Sequence, residues 1–118
     1  MESKFDADCL FCRIISGQVP GDIVYQDDQV VAMRDRYPKA PTHVLILSRE
    51  HIPSLREITE AHSGLMAHII HTGARLAREF GIAEDGYRLA VNVGAWGGQA
   101  IYHIHFHLLG GRPLKWEH

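Results

Sequence analysis

Three histidines occupy every second position of one segment, Tyr102-His103-Ile104-His105-Phe106-His107-Leu108-Leu109. Alternate side chains of a strand leave opposite faces, so His103, His105 and His107 would share one face and Ile104, Phe106 and Leu108 the other. Rings spaced about 7 Å apart along a strand make a poor core, because each needs both a donor and an acceptor partner. Each also titrates near about pH 6.5, so crowding them invites charge repulsion. Such a cluster suits metal ligation or phosphoryl chemistry. The preceding loop favours the second. Gly94, Gly97 and Gly98 let main-chain N–H groups approach an oxyanion closely, and Asn92 and Gln99 can add side-chain N–H donors. Neutral donors beside imidazoles suit a phosphate.

A second pattern is Cys9-x-x-Cys12, which has metal-ligand spacing but lacks two further ligands. The same pair also reads as two small buried side chains or as a redox pair, although nothing around it looks thioredoxin-like. The pair is the chain's whole cysteine content, too little for a disulfide framework.

These groups need elements to hold them. Asp8 is expected to cap a short helix carrying Leu10, Phe11, Ile14 and Ile15 and stopped at Gly17. Ile23-Val24-Tyr25 and Val30-Val31-Ala32-Met33 read as strands joined by a turn over Gln26 to Gln29. His43 to Leu47 is a nearly continuous apolar run and reads as a central strand. Pro53 opens a long helix that runs through Leu55, Ile58, Leu65, Ile69, Leu76 and Phe80 to Gly81, with Gly64 and Gly73 inside it. Tyr87 to Val93 and Ile101 to Leu109 read as the last two strands. Short connections imply antiparallel pairing with both helices packed on the sheet, an α+β arrangement. His62, His68 and His71 are expected to be solvated or helix-packing residues.

The chain has 118 residues, 46% hydrophobic and 22% charged, with a net charge of −2. That describes one globular domain and gives no electrostatic case for binding nucleic acid or an anionic membrane. No apolar run is long enough to span a bilayer. The polar, acidic stretch from Met1 to Asp8 is unlike a secretory signal, so a cytoplasmic protein is expected.

The whole pattern resembles the histidine-triad superfamily. The resemblance rests on His103 through Gly111-Arg112 and on Cys9-Leu10-Phe11-Cys12-Arg13-Ile14-Ile15, Val19-Pro20 and Tyr25-Gln26-Asp27-Asp28. Ala40-Pro41-Thr42-His43, His51-Ile52, Asn92-Val93-Gly94 and Gly98-Gln99 extend it. The ending Leu109-Gly110-Gly111-Arg112 with Trp116 is similar to the Hint branch rather than the dinucleotide-hydrolase branch. The resemblance implies a single domain over residues 1–118, a five-stranded antiparallel sheet with one short and one long helix, and a homodimer with a continuous ten-stranded sheet. It implies a hydrolase acting on purine nucleoside 5′-phosphoramidates, with AMP or GMP derivatives as ligands, through a nucleotidyl-histidine formed on His105. The alternatives are a dinucleoside polyphosphate hydrolase and a regulatory nucleotide-binding protein with weak catalysis. His107 and His43 would support the chemistry. Asn92, Gly98, Gln99 and Ala100 would hold phosphate oxygens, and Asp35 the ribose. Leu10, Phe11, Ile14 and Val19 would form the purine slot, and Trp116 would lie in the tail near a partner's site. Ala100 stands where the family usually has a serine, and Trp96 where the loop is usually small or acidic. A structural zinc would be held by Cys9, Cys12, His51 and His103, with no metal required for catalysis.

Overall fold

Val44, Leu45, Ile46 and Leu47 are all apolar because their strand is covered on both faces. In the computed structural model, which describes residues 5–116, helix α1 spans Leu10–Ile15 and α2 Ser63–Glu79. The strands are β1 Ile23–Gln26, β2 Val30–Arg34, β3 Thr42–Ser48, β4 Tyr87–Val91 and β5 His105–Gly110. They form one antiparallel sheet in the order β1-β2-β3-β5-β4. Val44 and Ile46 of β3, with Phe106 and Leu108 of β5, pack against Ile69, Leu76 and Ala77 of α2. Leu45 and Leu47 face the other way, onto Phe11, Cys12 and Ile14 of α1. The helices thus lie on opposite faces of the sheet. The start of the acidic N-terminal stretch, before residue 5, lies outside the described residues. No helix among the described residues is long and apolar enough to cross a membrane.

Several boundaries differ from the sequence expectation, most of them for a local reason. The long helix begins at Ser63, not at Pro53, after short 3-10 turns at Leu55–Glu57 and Glu60–His62. Ser54 and Thr59 are extended caps whose hydroxyls accept the N–H groups of Arg56 and Ala61. His62 Nδ1 accepts the Thr59 N–H in return (2.9 Å), so reciprocal capping outcompetes the helical period. Helix α1 is capped by Cys9, whose sulfur accepts the Cys12 N–H at 3.3 Å, rather than by Asp8. Strand β5 begins at His105 rather than Ile101. The Ile104 N–H donates to Ile52 O (2.8 Å) and the His103 ring to Ser48 O (2.6 Å), so the chain before His105 is tied to the end of β3 and the loop beyond it. Strand β4 also stops early, at Val91. Gly73 lies where α2 crosses the sheet. A Cβ there would sit 3.2 Å from a Leu89 methyl, so the helix and sheet approach closely.

The turn between β1 and β2 is tied to α2 through Asp27. Its Oδ1 accepts the Gln29 and Val30 N–H groups, and its Oδ2 accepts Tyr25 Oη–H (2.6 Å) and His68 Nε2–H (2.7 Å). The Arg75 guanidinium lies 4.2 Å from the Tyr25 ring centre. Burial pushes the Asp27 pKa up, but these hydrogen bonds outweigh it and hold the carboxyl well below its ordinary 3.8. A carboxyl depressed by folding adds stability that is present above the unfolded pKa and is lost as pH falls toward the folded value. We therefore expect Asp27→Asn to lower unfolding free energy by about 1–3 kcal/mol at pH 7, with the gap from wild type shrinking below about pH 4. Urea unfolding at pH 7 and pH 3 measures both; an equal gap at the two values would refute the assignment.

Candidate active site and metal-ligand cluster

β5 pairs with β3 so that His105 lies opposite Leu47 and His107 opposite Leu45, on the face that carries α1. The His105 ring stands edge-on to Phe11, with centroids 5.1 Å apart. Its Nδ1–H donates to the main-chain carbonyl of His103 at 2.8 Å. That bond fixes the tautomer: the hydrogen is on Nδ1 and the lone pair is on Nε2. Burial lowers the His105 pKa from 6.5 and keeps the ring neutral. A buried, uncharged nitrogen with a free lone pair is a competent nucleophile.

His107 is set by a second chain of hydrogen bonds. The Lys39 N–H donates to His43 Nδ1 (3.1 Å), so the one hydrogen of neutral His43 is on Nε2. That Nε2–H donates to His107 Nδ1 at 3.0 Å, which leaves His107 with an N–H at Nε2. Asp35 Oδ2 lies 3.4 Å from the same His43 Nε2. Burial, then the neighbouring His105 and His43, push the His107 pKa down to about 4 against the pull of Asp35. Burial likewise lowers that of His43. Asp35, His43 and His107 lie close enough to hold a cation. Their hydrogen bonding argues against one, since His43 Nε2 carries a hydrogen and its Nδ1 is already an acceptor.

The glycine-rich loop is braced differently from the sequence expectation. Asn92 Nδ2 donates to Gly97 O (2.8 Å), while Gln99 Nε2 donates to Pro53 O (2.8 Å) and Ile101 O (3.1 Å). Gln99 Oε1 accepts the Gly94 N–H at 3.0 Å. Gln99 thus commits both of its amide hydrogens to main-chain carbonyls, whereas Asn92 commits one of its two. Gly98 sits at φ +85°, and a Cβ on Gly97 would lie 2.3 Å from Val93 O, so the turn tolerates no side chain there. The N–H groups of residues 100–103 make no hydrogen bond among the described residues. These main-chain donors lie immediately before His105, and N–H groups of this kind suit an anion. Of the expected purine slot, Phe11 and Ile14 are buried core, Val19 packs against that core, and Leu10 is 38% exposed. Trp96 and Trp116 stand fully in solvent.

Beside the triad, Cys9, Cys12, His51 and His103 bring two sulfurs and two ring nitrogens within 4.8 Å of one another. Cys9 Sγ and Cys12 Sγ lie 3.3 and 3.6 Å from His103 Nδ1, and Cys12 Sγ lies 3.4 Å from His51 Nδ1. The two Nδ1 atoms are 3.3 Å apart. A zinc tetrahedron has edges of roughly 3.3 Å between nitrogens and roughly 3.6 Å between sulfur and nitrogen. His103 Nε2–H is held by Ser48 O and His51 Nε2 lies 3.6 Å from Asp6 Oδ2, so both Nδ1 lone pairs point inward. Each sulfur accepts a main-chain N–H, Cys9 from Cys12 and Cys12 from Asp6. Burial pushes the Cys12 thiol up to about 11, and a bound dication would displace its proton. The donor set fits zinc. Sequence spacing gave no sign of Ser48 O, the Asp6 carboxylate or the Lys39 N–H, which orient these rings through tertiary contacts.

The family profile described as HIT domain matches residues 16–114. The chain is 50% identical over 105 residues to the purine nucleoside phosphoramidase of Escherichia coli K12, covering 89% of this chain and 88% of the relative. It superposes with a TM-score of 0.91 on a HIT family hydrolase from Legionella pneumophila Philadelphia 1 (44% identity, covering 93% of this chain and 98% of that one). A zinc-bound histidine triad family protein from Mycobacterium smegmatis matches with a TM-score of 0.75 and 31% identity, covering 89% of this chain and 76% of that one.

Proposed function

The chain belongs to the HIT family, and from that premise we propose that it is a hydrolase that cleaves purine nucleoside 5′-phosphoramidates through a covalent nucleotidyl-histidine. The observation that carries this reading is the 2.8 Å bond from His105 Nδ1–H to His103 O, which leaves the lone pair on Nε2. His105 Nε2 attacks the α-phosphorus while the open main-chain N–H groups of residues 100–103 take the phosphoryl oxygens. The P–N bond to the leaving amine breaks, and the amine nitrogen takes a proton from His107 Nε2, the ring having first gained one extra proton so that it returns to the neutral form. Positive charge that develops on the His105 ring is met at Nδ1–H by the His103 carbonyl. Water then attacks phosphorus, breaks the P–Nε2 bond and returns a proton to His107, releasing the nucleoside monophosphate. Asp35 and the edge formed by Leu10, Phe11, Ile14 and Val19 accommodate ribose and purine. Asn92, Gly98 and Gln99 shape the phosphate loop, and Ala100 contributes its main chain alone.

Cys9, Cys12, His51 and His103 would hold a zinc ion whose contribution is structural: four protein ligands leave no open position for water or substrate. The reading extends to one HIT domain over residues 1–118 acting in the cytoplasm as a homodimer. There the sheets would join into one of ten strands, and Trp116 would approach the partner's site.

Two outcomes are expected. With an adenosine phosphoramidate under single-turnover conditions, wild type releases the amine. His105→Ala keeps nucleotide affinity within a few-fold but loses at least about 10³-fold in rate. Equal binding with no reaction in either protein would instead make it a nucleotide-binding protein. Protein purified with zinc carries about one metal per chain, and cobalt in its place gives a tetrahedral thiolate spectrum. Cys12→Ser abolishes that spectrum and costs about 2 kcal/mol or more, roughly 10 °C in Tm. Full cobalt loading of Cys12→Ser would rule out the four-ligand site.

A further inference from the structure

The His43–His107 pair poses a proton-balance problem. His43 Nδ1 is occupied by the Lys39 N–H and His107 Nδ1 by His43 Nε2–H, so in the neutral pair His107 has a hydrogen only at Nε2. Giving that hydrogen to a leaving amine would leave an imidazolate, an anion that a half-buried ring does not support. To act as an acid, the pair must first take up one proton. With His43 Nδ1 occupied, the open position is His107 Nδ1. A hydrogen there would meet the His43 Nε2–H head-on across 3.0 Å, unless the latter has somewhere else to go.

Asp35 supplies that place. Its Oδ2 lies 3.4 Å from the same His43 nitrogen, and its Oδ1 is pinned by the Tyr37 N–H at 2.8 Å. The Asp35 N–H also donates to His43 O (2.9 Å), so carboxylate and ring are held together by main chain as well. We infer that Asp35 is a positioning residue for proton transfer: its Oδ2 receives the His43 Nε2–H when His107 is protonated, so that Asp35, His43 and His107 together carry one extra proton. This deepens the reading of His107 as the acid and rests on it for the destination of the proton, but not for the array itself. The groups facing the pair are Asp35 from the turn after β2, Lys39 from the loop before β3, and His105 on β5. Burial, Lys39 and His105 disfavour the charged pair, and Asp35 favours it.

The test begins with wild-type protein carrying ¹⁵N-labelled histidine and no substrate, so it needs no variant to fold. On acidification His107 should gain its Nδ1 hydrogen while His43 keeps hydrogen on Nε2 and none on Nδ1. A first proton landing on His43 Nδ1 would overturn the inference. In Asp35→Asn the pair should take up its proton about one pH unit lower, the effect of losing one close opposite charge. The kcat for phosphoramidate should then fall about tenfold at neutral pH, with the gap closing as pH is lowered. Asp35→Glu should restore most of the profile. A change in KM reports the sugar contact separately. Titration at an unchanged pH in Asp35→Asn would also overturn the inference. If the free protein titrates as described but wild type turns over no phosphoramidate, the array stands and only the assigned substrate fails.

Discussion

His103 is bonded at three points, and the rest of the site follows from them. Its Nε2–H is anchored on Ser48 O, its Nδ1 points at the two cysteines and His51, and its carbonyl accepts the His105 Nδ1–H. One residue therefore joins the metal-ligand cluster to the tautomer of the proposed nucleophile. Phe11, in the helical turn between Cys9 and Cys12, stands edge-on to both His103 and His105 and seals the same junction from α1. Movement of the cysteine turn would thus reach the nucleophile by packing as well as by hydrogen bonding.

The sheet makes this arrangement rigid. β3 and β5 are neighbouring inner strands, and each is apolar toward α2. Toward α1, β5 offers imidazoles where β3 offers Leu45 and Leu47. A register slip of one residue would send the histidines into the α2 core and leave Phe106 and Leu108 on the reactive face. The hydrophobic layer that stabilises the fold is also what holds His105 and His107 in place.

Much of this was legible in the sequence because it depends on period. The two-residue alternation from His103 to Leu108 and the unbroken run from Val44 to Leu47 encode burial directly. Cys9-x-x-Cys12 has metal-ligand spacing, and the fold brings the pair together with His51 and His103. What escaped depends on which polar group competes for which partner. The start of α2 is decided by Ser54, Thr59 and His62 acting as caps against an apolar helical period. The start of β5 is decided by Ile52 and Ser48 carbonyls that are distant in sequence. Gln99 has the donors a phosphate needs, but main-chain carbonyls of Pro53 and Ile101 take them first, and Gly97 O takes one of Asn92's. Asp35 read as a sugar ligand, and its approach to His43 Nε2 came only with the folded turn.

The central claim is that an uncharged His105 nitrogen bonds to phosphorus. It is tested most directly by mixing the protein with an adenosine phosphoramidate, quenching in alkali within a turnover, and mapping the product by peptide mass spectrometry. The account predicts an adenylyl group on the peptide bearing His105 that survives base and is removed by acid. An adduct on any other residue, or amine released with no adduct at any quench time, would contradict it.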